Sequence, residues 1–288
     1  MHPLPEDVER AYGQCLQQAR SHYENFPVAS RLLPAQLRRP VAAIYSFARR
    51  GDDLADEGGA SAEDRLQALD ELHRKLDAAA AGNPDADATF IALAHAMTVH
   101  HLPAQPFHDL LQAFRRDILQ KRYEDFADLE SYCRCSANPV GRLLLHLCDR
   151  ADPERIARSD AVCTALQLIN FYQDLAQDFH ELGRIYIPQE EMRAFGVGED
   201  HFRDRITDDA FRALMHHQFR RAGERLRQGA PLGGMLPGRI GLEIRLIIAA
   251  GGRVLTRLRH QETDLFSRPR LRGADYGVIL LRALAGRA

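Results

Sequence analysis

Apolar residues recur at three- and four-residue spacing along almost the whole chain, and alternation sustained beyond four residues is hard to find. That period belongs to helices buried through one face, not to strands. It predicts an all-α protein with helices over about 6–24, 36–57, 61–80, 86–100, 104–121, 126–149, 154–182, 206–228 and 238–266, and a shorter one near 188–195. The breaks coincide with local punctuation. Gly58-Gly59 closes the second helix, Ser61 caps the third with Glu63 and Asp64 in its first turn, and Asp152-Pro153-Glu154 starts another. Gly183 and Pro188 bracket a turn, and a breaker-rich run from Gly229 to Gly238 feeds the long C-terminal helix. No break is long enough for a linker and no internal repeat is evident, so 1–288 reads as one helical domain.

Two acidic clusters sit inside this pattern. The first is Asp52-Asp53-Leu54-Ala55-Asp56-Glu57; the second is Asn170-Phe171-Tyr172-Gln173-Asp174-Leu175-Ala176-Gln177-Asp178. Residues four apart on a helix share a face, with Cβ atoms about 6 Å apart. Asp52 and Asp56 are so related, as are Asp174 and Asp178, and paired carboxylates repel unless a counter-charge joins them. A hard divalent cation is the natural partner: Mg²⁺ takes oxygen ligands, keeps several waters and is held by one or two carboxylates plus substrate phosphates. Gln167, Asn170, Asp174 and Asp178 would form one continuous polar stripe among Leu166, Leu168, Ile169, Phe171 and Leu175. A buried hydrogen-bonded stripe is the competing reading there, and a solvated helix end is the competing reading for the first cluster.

Charge excludes little, because 38 basic residues face 40 acidic ones and the formal charge is −2. No segment reads as a nucleic-acid-binding arm. Five cysteines without CxxC spacing fit free thiols in a reducing cytoplasm. No signal peptide opens the chain, and the longest apolar runs fall well short of the roughly 20 residues that span a membrane. The expectation is a cytoplasmic protein, soluble or peripheral on the inner face of the plasma membrane. The last segment, Tyr276 to Leu284, could lie on a membrane surface, although a core-packed terminal helix is favoured.

Positive and aromatic groups accompany the acidic clusters. Arg49 and Arg50 precede the first, and Gly183-Arg184-Ile185-Tyr186-Ile187-Pro188 comes after the second, placing a guanidinium and a phenol where they could donate to phosphate. Small residues in Ser136-Ala137-Asn138-Pro139-Val140-Gly141 leave room for a close helix neighbour or a slim apolar ligand, and Pro139 is expected to kink its helix. Cys133-Arg134-Cys135 lacks a second pair to complete a metal site. His95, His100 and His101 read as surface or packing residues.

Taken together, these motifs resemble the squalene/phytoene synthase family. Asp52-xxx-Asp56 and Asn170-xxx-Asp174-xxx-Asp178 are similar to its two aspartate-rich motifs, Asp117 through Cys133 to its run of Asp, Arg-Tyr-Glu, Phe, Leu and Tyr-Cys, and Gly183-Arg184-Ile185-Tyr186 with Pro188 to the segment after the second motif. The likeness extends from about residue 10 to 285. Within the family, His22-Tyr23-Glu24-Asn25-Phe26-Pro27-Val28-Ala29-Ser30 and Ser136 to Gly141 resemble the bacterial hydroxysqualene synthases of hopanoid pathways. Gln173 and Gln177 stand where phytoene and presqualene diphosphate synthases usually carry Arg and Glu.

The resemblance implies an isoprenoid-synthase bundle of helices around a deep central cavity. It implies two or three Mg²⁺ ions on Asp52, Asp56, Asn170, Asp174 and Asp178, a prenyl diphosphate substrate, and no need for NADPH. By the same resemblance Tyr132 joins the aspartates as a catalytic residue near the carbocation, while Asn25, Phe26, Tyr45, Arg49, Gln167, Arg184 and Tyr186 bind substrate. The expected reaction converts presqualene diphosphate to hydroxysqualene. Head-to-head condensation of two farnesyl or geranylgeranyl diphosphates is the alternative, and a non-catalytic binding or assembly protein of the same fold is the alternative from another class. No nucleic-acid partner is expected; a peripheral membrane contact and a downstream oxidoreductase of the squalene pathway are the partners left open.

Overall fold

Several helices begin where a side chain satisfies a terminal backbone donor: Ser61, Asp87, Asp125 and Asp208 each accept from an N–H in the first turn. The computed structural model describes residues 4–21, 32–56, 59–261 and 263–286, and these form helices joined by loops, with no strand among them. In chain order they are α1 (Glu6–Ser21), α2 (Ala35–Asp56), α3 (Ala62–Ala80), α4 (Ala88–His100), α5 (Gln105–Leu119), α6 (Phe126–Ser136), α7 (Asn138–Leu147), α8 (Pro153–Gln173), α9 (Leu175–Leu182), α10 (Gln189–Ala194), α11 (Glu199–Asp204), α12 (Asp209–Gly229), α13 (Leu232–Met235), α14 (Gly238–Arg259) and α15 (Gly273–Leu284). The all-α class read from the spacing is what the structure has. The chain divides into two compact units, residues 1–119 with 139–152, and residues 120–138 with 153–288.

In the first unit α2 is central, packed by α1, α3, α4 and α5. Its buried face holds Phe47, whose ring meets Phe107 edge-on at 5.5 Å and Phe90 at 6.4 Å, an arrangement favoured by ring quadrupoles. Gly51 lies immediately before the acidic turn. A Cβ at that position would run into the Phe114 ring of α5, so only glycine lets the two helices close there. At the end of α2, Arg65 donates to the Ala55 carbonyl at 3.0 Å, which satisfies a terminal acceptor. Ser61 then opens α3 with a capping box: its hydroxyl accepts from Asp64 N–H at 3.1 Å, and the Asp64 carboxylate accepts from Ser61 N–H at 3.3 Å.

The second unit is built on α8, which packs against α12, α14, α6 and α13, while α14 carries α15. Tyr172 and Gln218, both without solvent exposure, join α8 to α12 through a 3.2 Å hydrogen bond that satisfies a buried phenol. Asp275 is completely buried at the start of α15. It accepts from Arg272 N–H at 2.6 Å, meets Arg253 Nε at 2.5 Å and accepts from Arg257 Nε at 2.8 Å. The backbone donor of Arg272 first, and then the two guanidiniums, hold this carboxyl far below the usual range.

Three expectations are corrected. The helix expected over 126–149 is two, because the first ends at Ser136 and Pro139 sits in the first turn of the second, where its missing N–H costs nothing. The helix expected over 154–182 is interrupted at Asp174, whose backbone (φ −107°, ψ 17°) leaves the helical basin. The long C-terminal helix stops at Arg259, and the short α11 and α13 were not anticipated, since four to six residues carry too little periodicity to read. The terminal segment is a helix, α15, longer at its start than the apolar run alone suggests.

Candidate active site

The first acidic cluster occupies the last turn of α2, with Tyr45, Arg49, Asp52 and Asp56 succeeding one another at helical spacing along one side. Arg49 Nε lies 2.6 Å from Asp53 and its Nη1 3.5 Å from Asp52, while Arg50 turns away to pair with Asp87. Asp52 keeps 46% of its side chain exposed. Its charge is therefore hydrated, and burial is not what makes this turn unusual. What stands out is three carboxylates in a C-terminal turn, where the helix dipole opposes negative charge. Arg49 and Arg65 offset that repulsion from within the unit. Asn25 and Phe26, expected beside this cluster, lie outside the described residues.

The second cluster is different. Asp174 forms the joint between α8 and α9, yet the backbone bonds run straight through it: Asp174 N–H donates to Asn170 O at 3.0 Å and Asp178 N–H to Asp174 O at 2.8 Å. The i, i+4, i+8 relation of Asn170, Asp174 and Asp178 thus survives the bend. Asn170 Nδ2 donates to Asp174 Oδ2 at 3.1 Å, and Arg268 Nε lies 3.0 Å from Oδ1. Only 10% of the Asp174 side chain is exposed, and burial pushes its carboxyl above the ordinary value, with Arg268 and the Asn170 bond pulling the other way. Although Arg268 is near, Oδ1 is buried and receives no aligned hydrogen bond. An all-oxygen donor set with one such atom fits a hard divalent cation. Gln167 lies one turn before Asn170 and is half-buried.

Gly183, left-handed at φ 66°, ends α9, and the N–H of Arg184 returns to the Asp178 carbonyl at 2.8 Å. The left-handed turn suits glycine, and this bond, reaching six residues back, ties the buried Arg184 to the backbone of the acidic helix. The chain then runs beside residues 121–124: Ile185 N–H donates to Lys121 O and Gln189 N–H to Tyr123 O. Tyr186 is thereby delivered into a buried aromatic cluster. Its ring stacks on Phe171 at 3.7 Å and 4°, with Tyr132 at 5.8 Å and Tyr123 at 5.6 Å. Tyr132, Phe171 and Tyr186 thus come together, with Phe171 itself part of the acidic segment of α8. Gln173 and Gln177 line a cavity of about 230 Å³ with Asp174, His180, Arg205 and Arg268, and Gln177 donates to Glu181 at 3.0 Å.

The sequence reading missed Arg268, because nothing in the local pattern of residues 265–272 points to α8. It also missed a cluster in the first unit that could hold a metal ion. His73 and Asp77 on α3 and His108 on α5 bring two imidazole nitrogens within 3.7 and 3.4 Å of one carboxylate. Two nitrogens and an oxygen suit a transition metal better than Mg²⁺. All five cysteines are free thiols.

A family model described as squalene/phytoene synthase matches residues 19–275. The chain belongs to the squalene/phytoene synthase family. Members of that family are enzymes that use prenyl diphosphates. A hydroxysqualene synthase of Rhodopseudomonas palustris is 31% identical over 263 residues, covering 91% of this chain and 88% of that protein. Another, from Zymomonas mobilis, is 42% identical over 176 residues, covering 60% of this chain and 58% of that protein, so this match spans less than two thirds of its length. Among solved structures, squalene synthase HpnC from Alicyclobacillus acidocaldarius superposes with a TM-score of 0.85 at 36% identity, covering 91% of this chain and 97% of that one. No helix among the described residues is long and apolar enough to cross a membrane.

Proposed function

We propose that this member of the squalene/phytoene synthase family is a hydroxysqualene synthase: it ionises presqualene diphosphate, releases diphosphate and adds one water to the rearranged cation. The observation that carries this reading is the nearly buried Asp174 with its hydrogen-bond-free Oδ1, in a chain whose relatives include two hydroxysqualene synthases. Asn170, Asp174 and Asp178 would hold Mg²⁺, as would Asp52 and Asp56 on their own helix. Bound there, the metal would act as a Lewis acid that stabilises the leaving diphosphate.

The chain's own groups do the rest. Arg49 with Tyr45, and separately Arg184 with Gln167, would bind diphosphate oxygens, a task that a guanidinium suits through its planar donor fork. Tyr132 and its ring neighbours Phe171 and Tyr186 offer π faces that stabilise a carbocation and exclude bulk water. The balance closes without a redox partner: the C–O bond to diphosphate breaks, a C–O bond to water forms, and one proton is lost. No NADPH is then consumed. In this reading 1–288 acts as one catalytic domain, cytoplasmic, with a downstream oxidoreductase consuming the alcohol.

Head-to-head condensation of two farnesyl or geranylgeranyl diphosphates is the second reading, favoured by the likeness to squalene synthase HpnC. Purified protein supplied with Mg²⁺ and no NADPH, and given presqualene diphosphate or farnesyl diphosphate in separate reactions, decides between them by product analysis. Hydroxysqualene from the first substrate, with the second left unconsumed, is the expected result. Rapid use of farnesyl diphosphate alone would overturn it.

A further inference from the structure

Four of the seven large apolar side chains that stand exposed among the described residues belong to one helix. They are Tyr276 (61% exposed), Leu280 (49%), Leu281 (70%) and Leu284 (62%), all on the outer side of α15. The inner side of the same helix is fully engaged: Asp275, Ile279 and Ala283 are buried, and α15 packs on α14. The outer row recurs at i, i+4, i+5 and i+8, so it forms one stripe instead of scattered surface leucines. A continuous exposed apolar stripe on a soluble helix marks an interaction site.

Charge says what the stripe meets. Between Leu265 and Gly286 there are four arginines and one aspartate, in a chain whose formal charge is −2. The aspartate is Asp275, which is already neutralised inside the unit by Arg253 and Arg257. Arg270 and Arg272 stand exposed just before the helix, and Arg282 lies half-buried beside Leu281, an arrangement in which a long stem can cover apolar surface while its head stays wet. None of these three makes an ion pair among the described residues. Leucines and a tyrosine flanked by arginines that make no ion pair among the described residues are the composition of a helix that lies in the headgroup region of an anionic bilayer.

We infer that α15 docks this protein on an anionic phospholipid surface, with Tyr276, Leu280, Leu281 and Leu284 entering the acyl boundary and Arg270, Arg272 and Arg282 meeting lipid phosphates. The purpose of such docking rests on the proposed prenyl chemistry, since a substrate and product of that class partition into membranes. The docking itself does not. The second unit is thereby anchored through the helix that comes after Arg268, and Arg268 touches Asp174.

Flotation of the full chain with phospholipid vesicles tests the inference without any substrate. The protein should float with vesicles of equal parts phosphatidylcholine and phosphatidylglycerol, less with phosphatidylcholine alone, and less as salt is raised. Leu281→Glu should lower partitioning about tenfold, and Arg270→Glu about fivefold, with a weaker salt dependence. Circular dichroism and turnover of detergent-dispersed substrate should be unchanged in both. Equal flotation of wild type and Leu281→Glu, or none by the wild type, overturns the inference. So does a change in mass by light scattering in Leu281→Glu without a change in flotation, because a second copy of the chain would then be what covers the stripe. Absence of turnover in the wild type would sink the proposed reaction and leave the docking surface standing.

Discussion

Arg268 Nε stands 3.0 Å from Oδ1 of Asp174, and the two residues come from segments of the second unit that are distant in the chain. The aspartate is nearly buried, while the arginine is half exposed. Burial of a carboxylate is costly, and a single solvent-screened guanidinium offsets it only in part, which is why the Asp174 carboxyl remains above its ordinary value. Under the proposed metal role, this cost to stability is what binding a cation would offset.

Asp174→Asn should therefore lose turnover by roughly a hundredfold or more, the scale of a lost metal contact, without loss of fold. In metal-free buffer its melting temperature should equal or exceed that of the wild type, because the uncompensated part of the buried charge is gone. Thermal melts in chelator beside product assays check both halves. A variant that is inactive because it is unfolded would refute the role assigned to Asp174.

Asp52→Asn should also abolish turnover, but for a hydrated residue the stability change should stay within about 0.5 kcal/mol. A binding readout separates this from any effect on folding. Mg²⁺ with inorganic diphosphate should raise the wild-type melting temperature, as any ligand specific to the folded state does. The shift should shrink in Asp52→Asn and Asp174→Asn alike. Full shifts in both variants would remove these aspartates from the metal set.

Gly51→Ala should destabilise the protein by about 1–3 kcal/mol, the usual cost of overpacking, since the new methyl meets the Phe114 ring. Phe114→Leu introduced alongside it should recover part of the loss. Chemical denaturation of the two variants and the wild type reads this directly, and additive losses would show that Phe114 is not the obstacle.

Asp275→Asn should expose a pH dependence. The folded-state carboxyl lies far below the roughly 3.9 of an unfolded aspartate, so its contribution is present above that value and fades as pH falls toward the folded pKa. The variant should melt lower than wild type at neutral pH, and the gap should narrow progressively in acid. A gap that is constant from pH 7 to below about 4 would argue against a linked proton.

The spacing within the candidate site is legible in the sequence because helical spacing is a local property. Asp52 with Asp56, and Asn170 with Asp174 and Asp178, share faces whatever surrounds them. The bend at Asp174 does not spoil this, since its i→i−4 backbone bonds persist. The stop at Gly183 is legible for the same reason: a left-handed residue is needed there and glycine supplies it. The kink expected at Pro139 is instead a new helix start, because a proline signals a discontinuity without saying on which side the helix resumes.

By itself, then, the sequence determined an all-α chain of this family, two acidic faces with oxygen donors at one spacing, and the residue types able to handle a diphosphate. Tertiary structure alone decided which face is wet and which is dry. Asp52 ends half exposed on the last turn of α2, whereas Asp174 is nearly buried and answered by Arg268. It also decided that Tyr186 stacks on Phe171 and that the outer row of α15 stands exposed among the described residues. The physical reason is common to all of these. Spacing along a helix fixes which side chains are neighbours on one element, but burial, ion pairing and stacking depend on segments distant in the chain that meet only when the helices pack.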